Sequence, residues 1–213
     1  MRVSLGVGIA IAGLCLLAPS RAQAAVITFD AVVAGSTSFG FDGDGDAVDD
    51  VVFSTTDPGG FNTFGPGTNQ NFIDEPGIEG TSLLDPDLRV DFLNGASGSI
   101  GFGFALLSEI AGPGTFASIE LFDADDDPLG EEGQEGTFTF TPGGLSDFPE
   151  GRIELPFSGV AAYGLFDFGS EGGRYIIDDF EGTFGSTETV PEPRLALLWA
   201  AVAASSALYR RAR

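Results

Sequence analysis

The chain has 213 residues, with 32 Gly, 20 Phe, one Cys and no His. All 32 acidic residues lie between Asp30 and Glu192, where only Arg89, Arg152 and Arg174 oppose them, so this stretch carries a formal charge of −29. Such a surface repels phosphate backbones and excludes nucleic acid as a partner. Cys15 sits near the start, so the rest of the chain has no thiol or imidazole to act as disulfide, nucleophile, general base or soft metal ligand.

Residues 1–24 read as a secretory signal peptide. Met1-Arg2 is the basic start, Val3 to Leu17 is an apolar run, and Pro19 and Ser20 break it. Ala22-Gln23-Ala24 then supplies a small-x-small cleavage site ahead of Ala25. The expectation is export through the Sec translocation machinery and a mature N-terminus at Ala25.

Residues 25–184 are expected to form one domain, since roughly 160 residues suffice for a single core. Short runs rich in Val, Ile and Phe mark strands at 25–33, 48–55, 88–93, 99–107, 117–122, 136–141, 152–158, 161–168 and 175–184. Ile100, Phe102, Phe104 and Leu106 share one face by alternation; so do Phe138 and Phe140, and Ile153, Leu155 and Phe157. Gly, Pro and Asp separate the runs, and no useful amphipathic helix intervenes. The expected fold is all-β, an antiparallel two-sheet sandwich of jelly-roll type.

The first acidic loop places Asp42, Asp44, Asp46, Asp49 and Asp50 on a Gly-rich turn. Calcium takes about six to eight oxygens, and such a turn can wrap one. The spacing begins like an EF-hand loop and then departs: Ala47 stands where Gly is needed and Phe53 where the bidentate Glu belongs. A calcium-binding β-loop and a solvated turn both account for it. In the next long segment, 57–87, Phe61, Asn62, Phe64, Asn71, Phe72 and Asp74 supply rings, amides and a carboxylate of the kind that recognise sugars. The same Phe residues could instead pin the loop to the sandwich, and the single Trp, Trp199, lies in the tail. Residues 123–130 need only turn chemistry to explain their Asp, Pro and Gly.

Asp178-Asp179 falls inside an apolar strand. Neighbouring strand residues face opposite sides, so one carboxylate turns toward the core side and needs a cation or several donors. Asp30 is its natural partner if the terminal strands pair. A second calcium site at Asp30, Asp178 and Asp179 and simple exposure at a strand end both fit. Serine nucleophiles have neither His nor Lys to activate them, and no carboxylate pair is singled out for glycoside hydrolysis. The chain therefore reads as non-enzymatic. The alternatives are a calcium-dependent carbohydrate-binding module and, third, a glycoside hydrolase.

Residues 185–213 form a linker and tail. Val190-Pro191-Glu192-Pro193 is held extended by its two prolines. Residues 195–209 are mostly Ala and Leu and favour a helix of roughly 22 Å, short of the ~30 Å hydrocarbon core. Arg210, Arg211 and Arg213 close the chain and favour the cytoplasmic side of a membrane. This order resembles the PEP-CTERM sorting signal of Gram-negative bacteria that make exopolysaccharide. The resemblance implies that exosortase, a membrane transpeptidase-like enzyme, recognises Pro191, Glu192 and Pro193 while the arginines stop transfer. It implies a transient inner-membrane anchor, then release to the cell surface or exopolysaccharide matrix. The body, through Ile27-Thr28-Phe29-Asp30 and Ile176-Ile177-Asp178-Asp179-Phe180, is similar to secreted jelly-roll domains; in related sandwich domains, including many carbohydrate-binding modules, the first and last strands lie close and often share a structural calcium.

Overall fold

Strands form where branched and aromatic residues alternate with small or polar ones. The computed structural model describes residues 23–63, 70–73, 76–80, 88–108, 111–139, 148–169 and 174–185. Within them lie β1 (Gln23–Ile27), β2 (Ser38–Phe41), β3 (Val51–Thr55), β4 (Phe61–Asn62), β5 (Ile78–Gly80), β6 (Leu88–Leu106), β7 (Phe116–Phe122), β8 (Pro128–Glu135), β9 (Glu150–Pro156), β10 (Ala161–Gly169) and β11 (Tyr175–Phe184). Their pairings are antiparallel. Among the described residues there is no helix, so none is long and apolar enough to cross a membrane. The expected helix at 195–209 lies outside them.

β6 is the axis of the fold. Its first half runs between β3 and β10, with Phe92 opposite Val51 and Arg89 opposite Leu165. Its second half runs between β9 and β11, with Phe102 opposite Ile153 and Phe104 opposite Ile177. The neighbours change around Gly95 and Gly98, whose φ angles of 78° and 84° lie in the left-handed region that Gly adopts cheaply. The two strands expected at 88–93 and 99–107 are thus one bent strand. Asn94 to Gly98 has the composition of a turn, yet Ala96 and Ser97 still pair with β11.

The strands on the two halves of β6 face each other. Phe53 of β3 meets Phe180 of β11 edge-on at 5.0 Å, and Phe166 of β10 meets Phe102 of β6 at 5.2 Å. The strands therefore make one hydrogen-bonded network folded over itself, sandwich-like, with an aromatic core between its layers. Phe180 is the hub: its ring also neighbours those of Phe92, Phe102, Phe166 and Phe184. Removing a buried Phe side chain of this kind costs about 3–5 kcal/mol.

Three expected strand limits change. The first strand stops at Ile27 rather than Val33, because Phe29 turns to φ 56° and drives its ring into the core, 5.1 Å from Phe53. Residues 136–139 are not a strand; Thr137 makes a single bridge with Glu150. The strand there is β8, Pro-Leu-Gly-Glu-Glu-Gly-Gln-Glu, an edge exposed along most of its length. With neither face deeply buried it needs no apolar alternation, and its acids discourage edge-to-edge pairing. Finally, β4 and β5 form inside the segment that read as a loop.

A second, outer layer covers part of β6 and β11. Ile73 packs with Ala105 and Ile176, and Phe148 leans on them. Gly103 makes this approach possible, since a Cβ there would collide with the carbonyl oxygen of Phe72.

Candidate functional site

The loop between β2 and β3 is closed by its own backbone, with the Asp50 N–H donating to the Phe41 carbonyl at 2.8 Å. Inside it, the Asp42 carboxylate accepts from the N–H groups of Gly45 (2.7 Å), Ala47 (2.8 Å) and Asp46 (3.3 Å). Gly45 and Ala47 bend the chain through φ of 77° and 68°. Ala47 thus adopts the left-handed conformation for which an EF-hand loop uses Gly. Asp50, only 7 % exposed, anchors the far side. It accepts from the Gly43 N–H at 2.9 Å and from Asn94 Nδ2 at 3.0 Å.

This curl brings one oxygen each of Asp42, Asp44 and Asp50 within 4.8 Å of one another. The other two loop carboxylates turn away. Asp46 accepts from the Val48 N–H at 2.8 Å, and the Asp49 carboxylate lies where a Cβ on Gly40 would be. Backbone hydrogen bonds, first from Ala47, hold Asp42 below the usual carboxylate range. Desolvation in the crowded loop raises Asp44, and the charges of Asp46, Asp50 and Asp42 add to it. The three arginines between residues 30 and 192 are engaged elsewhere: Arg89 with Asp91, Arg152 with Glu154 and Glu181, Arg174 with Glu79. Three carboxylates converging with no cationic side chain among the described residues match the hard-oxygen ligand set of calcium, with backbone carbonyls and water left to complete the shell.

The terminal strands do pair, Ile27 opposite Phe180. Asp178 is buried, on the face of Ile176, and accepts from the Asp179 N–H at 2.7 Å. Asp179 sits at φ 47° in a bulge of the β11–β6 ladder, which returns Phe180 to the core. Asp30 is exposed and accepts from the Thr28 hydroxyl at 2.7 Å. Among the described residues, Asp42, Asp44 and Asp50 are the one acidic group close enough to hold an ion.

The expected ligand loop is occupied internally. Phe61 is a core residue, 1 % exposed. Asn62 donates to Glu79 at 2.7 Å, and Glu79 pairs with Arg174. The N–H groups of Asn71 and Phe72 both donate to Glu150, at 2.9 and 3.0 Å. Phe64 and Asp74 lie outside the described residues, as do Ala22 and the sorting residues Val190, Pro191, Glu192, Pro193, Arg210, Arg211 and Arg213. Ala24 and Ala25 stand in β1 opposite Thr183 and Gly182.

Two contributors gave little or no sequence signal. Glu150, fully buried, also accepts from the Thr139 hydroxyl and so fastens two segments to β9. Asn94 reaches the acidic loop across 44 residues of sequence. Only the small residues that follow it, marking a bend, hint that it matters.

No family model matches the chain, and no curated protein matches it. Solved structures similar to it include the K2 cleaved adhesin domain of Lys-gingipain, at 16% identity and TM-score 0.43, covering 76% of this chain and 100% of that one. A variant of a family 29 carbohydrate binding module aligns at 15% identity and TM-score 0.34, covering 82% of this chain and 99% of its own. The module TmCBM61, solved in complex with β-1,4-galactotriose, aligns at 15% identity and TM-score 0.39, covering 75% and 94% respectively.

Proposed function

We propose that the chain is a non-enzymatic exported surface protein whose body, a jelly-roll-like sandwich, is stabilised by calcium. The observation that carries the calcium reading is the convergence of Asp42, Asp44 and Asp50, with no cationic side chain among the described residues to balance them. Calcium bound only to the folded state adds about 2.7 kcal/mol at a hundredfold excess over Kd. Melting the protein in calcium, magnesium or sodium at matched ionic strength tests it. The expected result is a calcium-selective rise in Tm that disappears in Asp42→Asn/Asp44→Asn. Equal melting in all three salts sinks the site.

The same proposal takes residues 1–24 as a cleaved signal and 185–213 as an exosortase-processed tail with a membrane helix at 195–209. Its support is the order Pro191-Glu192-Pro193, apolar run, Arg210-Arg211-Arg213. Replacing the three motif residues with Ala should leave the tail unprocessed and the protein in the membrane fraction; unchanged processing would discard the sorting role. The carbohydrate-binding alternative draws less from the geometry, because Phe61 is buried and Asn62 is spent on Glu79.

A further inference from the structure

Around the β6 bend the surface opens into a groove of about 570 Å³, lined in part by Leu93, Asn94, Gly95, Asp123, Asp125 and Val160. Leu93 is 56 % exposed and Val160 is 43 % exposed. Gly95 lets Val160 pack against the β6 backbone, since a Cβ at Gly95 would strike its Cγ1. Asp123 and Asp125 stand on one rim. Their turn is ordered, the Asp123 carboxylate accepting from the N–H groups of Asp125 (2.9 Å) and Asp127 (3.0 Å). On the other side Asn94 leads to the Asp50 carboxylate, and the Leu93 N–H donates to the Asp50 carbonyl at 2.9 Å.

We propose that this groove docks a cationic amphipathic peptide segment of a partner protein, its aliphatic side chains on Leu93 and Val160 and its Arg or Lys side chains against Asp123 and Asp125. The choice of occupant follows from charge. A second copy of this acidic chain would repel the first, as would an anionic membrane. The exposed floor carries aliphatic side chains and no exposed ring for a sugar to stack on; its one aromatic, Phe92, is buried. Calcium at Asp42, Asp44 and Asp50 would offset part of that loop's charge and none of the Asp123–Asp125 rim's.

The test is fluorescence anisotropy on the full-length protein with two labelled synthetic peptides, one alternating Arg with Leu, the other Arg with Ser. The Arg-Leu peptide should bind about tenfold or more tightly than the Arg-Ser peptide, and weaken as NaCl rises. Leu93→Ser should cost about tenfold in its affinity. The exposed-turn variant Asp125→Asn should lower affinity for both peptides without changing Tm. Three results would each overturn the proposal: equal binding of the two peptides, affinity unchanged in Leu93→Ser, or phosphatidylserine vesicles bound with calcium in preference to the Arg-Leu peptide.

Discussion

Glu150 shows how much one side chain can hold in place. Its carboxylate is fully buried and accepts two backbone N–H groups and one hydroxyl, so the charge is solvated by the protein itself. Replacing it by Gln removes the charge and turns an amide donor toward other donors. Glu150→Gln is expected to lose about 1–3 kcal/mol, read as a lower midpoint in chemical denaturation. Loss of the Asn71 and Phe72 amide protection in hydrogen exchange should accompany it. Nothing in the sequence marks this residue, because its backbone partners lie 78 and 79 residues away. The aspartates at 42, 44 and 50 were legible for the opposite reason. A loop of Asp alternating with Gly advertises carboxylates on a tight turn, although which of the five converge depends on where Gly45 and Ala47 bend it.

In the β2–β3 loop, Asp42 has its pKa lowered, so it favours the folded state above its ordinary value of 3.8 and loses that contribution as pH falls through the lowered one. Asp44 has its pKa raised, so the folded state holds its proton more tightly; that contribution is fully present below the ordinary value of 3.8 and is lost as pH rises through the raised one. Desolvation is the main cause of that rise and the charges of Asp46, Asp50 and Asp42 add to it; a cation would relieve the charge repulsion. The calcium-induced gain in Tm should therefore be largest near neutral pH and vanish below about pH 4, where carboxylates protonate. In β6, the two bend glycines are predicted to differ. Gly98 has open space around it, so Gly98→Ala should cost only the left-handed strain, about 1–2 kcal/mol. Gly95→Ala must also displace Val160 and should cost more, with urea denaturation of the two variants as the comparison. Strands with one buried face, such as β7 and β10, were legible by alternation. β8 was not, because an exposed edge imposes no apolar period, and the bend in β6 was not, because continued pairing through Gly95 and Gly98 depends on strands distant in sequence.

For the molecule as a whole, the governing quantity is the −29 charge between residues 30 and 192. Compacting that many carboxylates raises their mutual repulsion, and mobile ions screen it over a Debye length of about 10 Å at 0.1 M salt. Tm should climb as NaCl is added from low ionic strength and then level off; a salt-independent Tm would show that the charges are already well solvated where they stand.

The strand order has a consequence in time. β11 is the last strand of the body, yet it lies centrally, pairing with β5, β6 and β1. It also carries Phe180, around which the aromatic core is arranged. A chain emerging from its N-terminus therefore cannot complete its fold by stages. β1 has no partner, and the core no centre, until about the last residue of β11 has been made. A chain interrupted before Tyr175 is therefore expected to leave no protease-resistant core, which limited proteolysis of a chain ending at residue 174 would check.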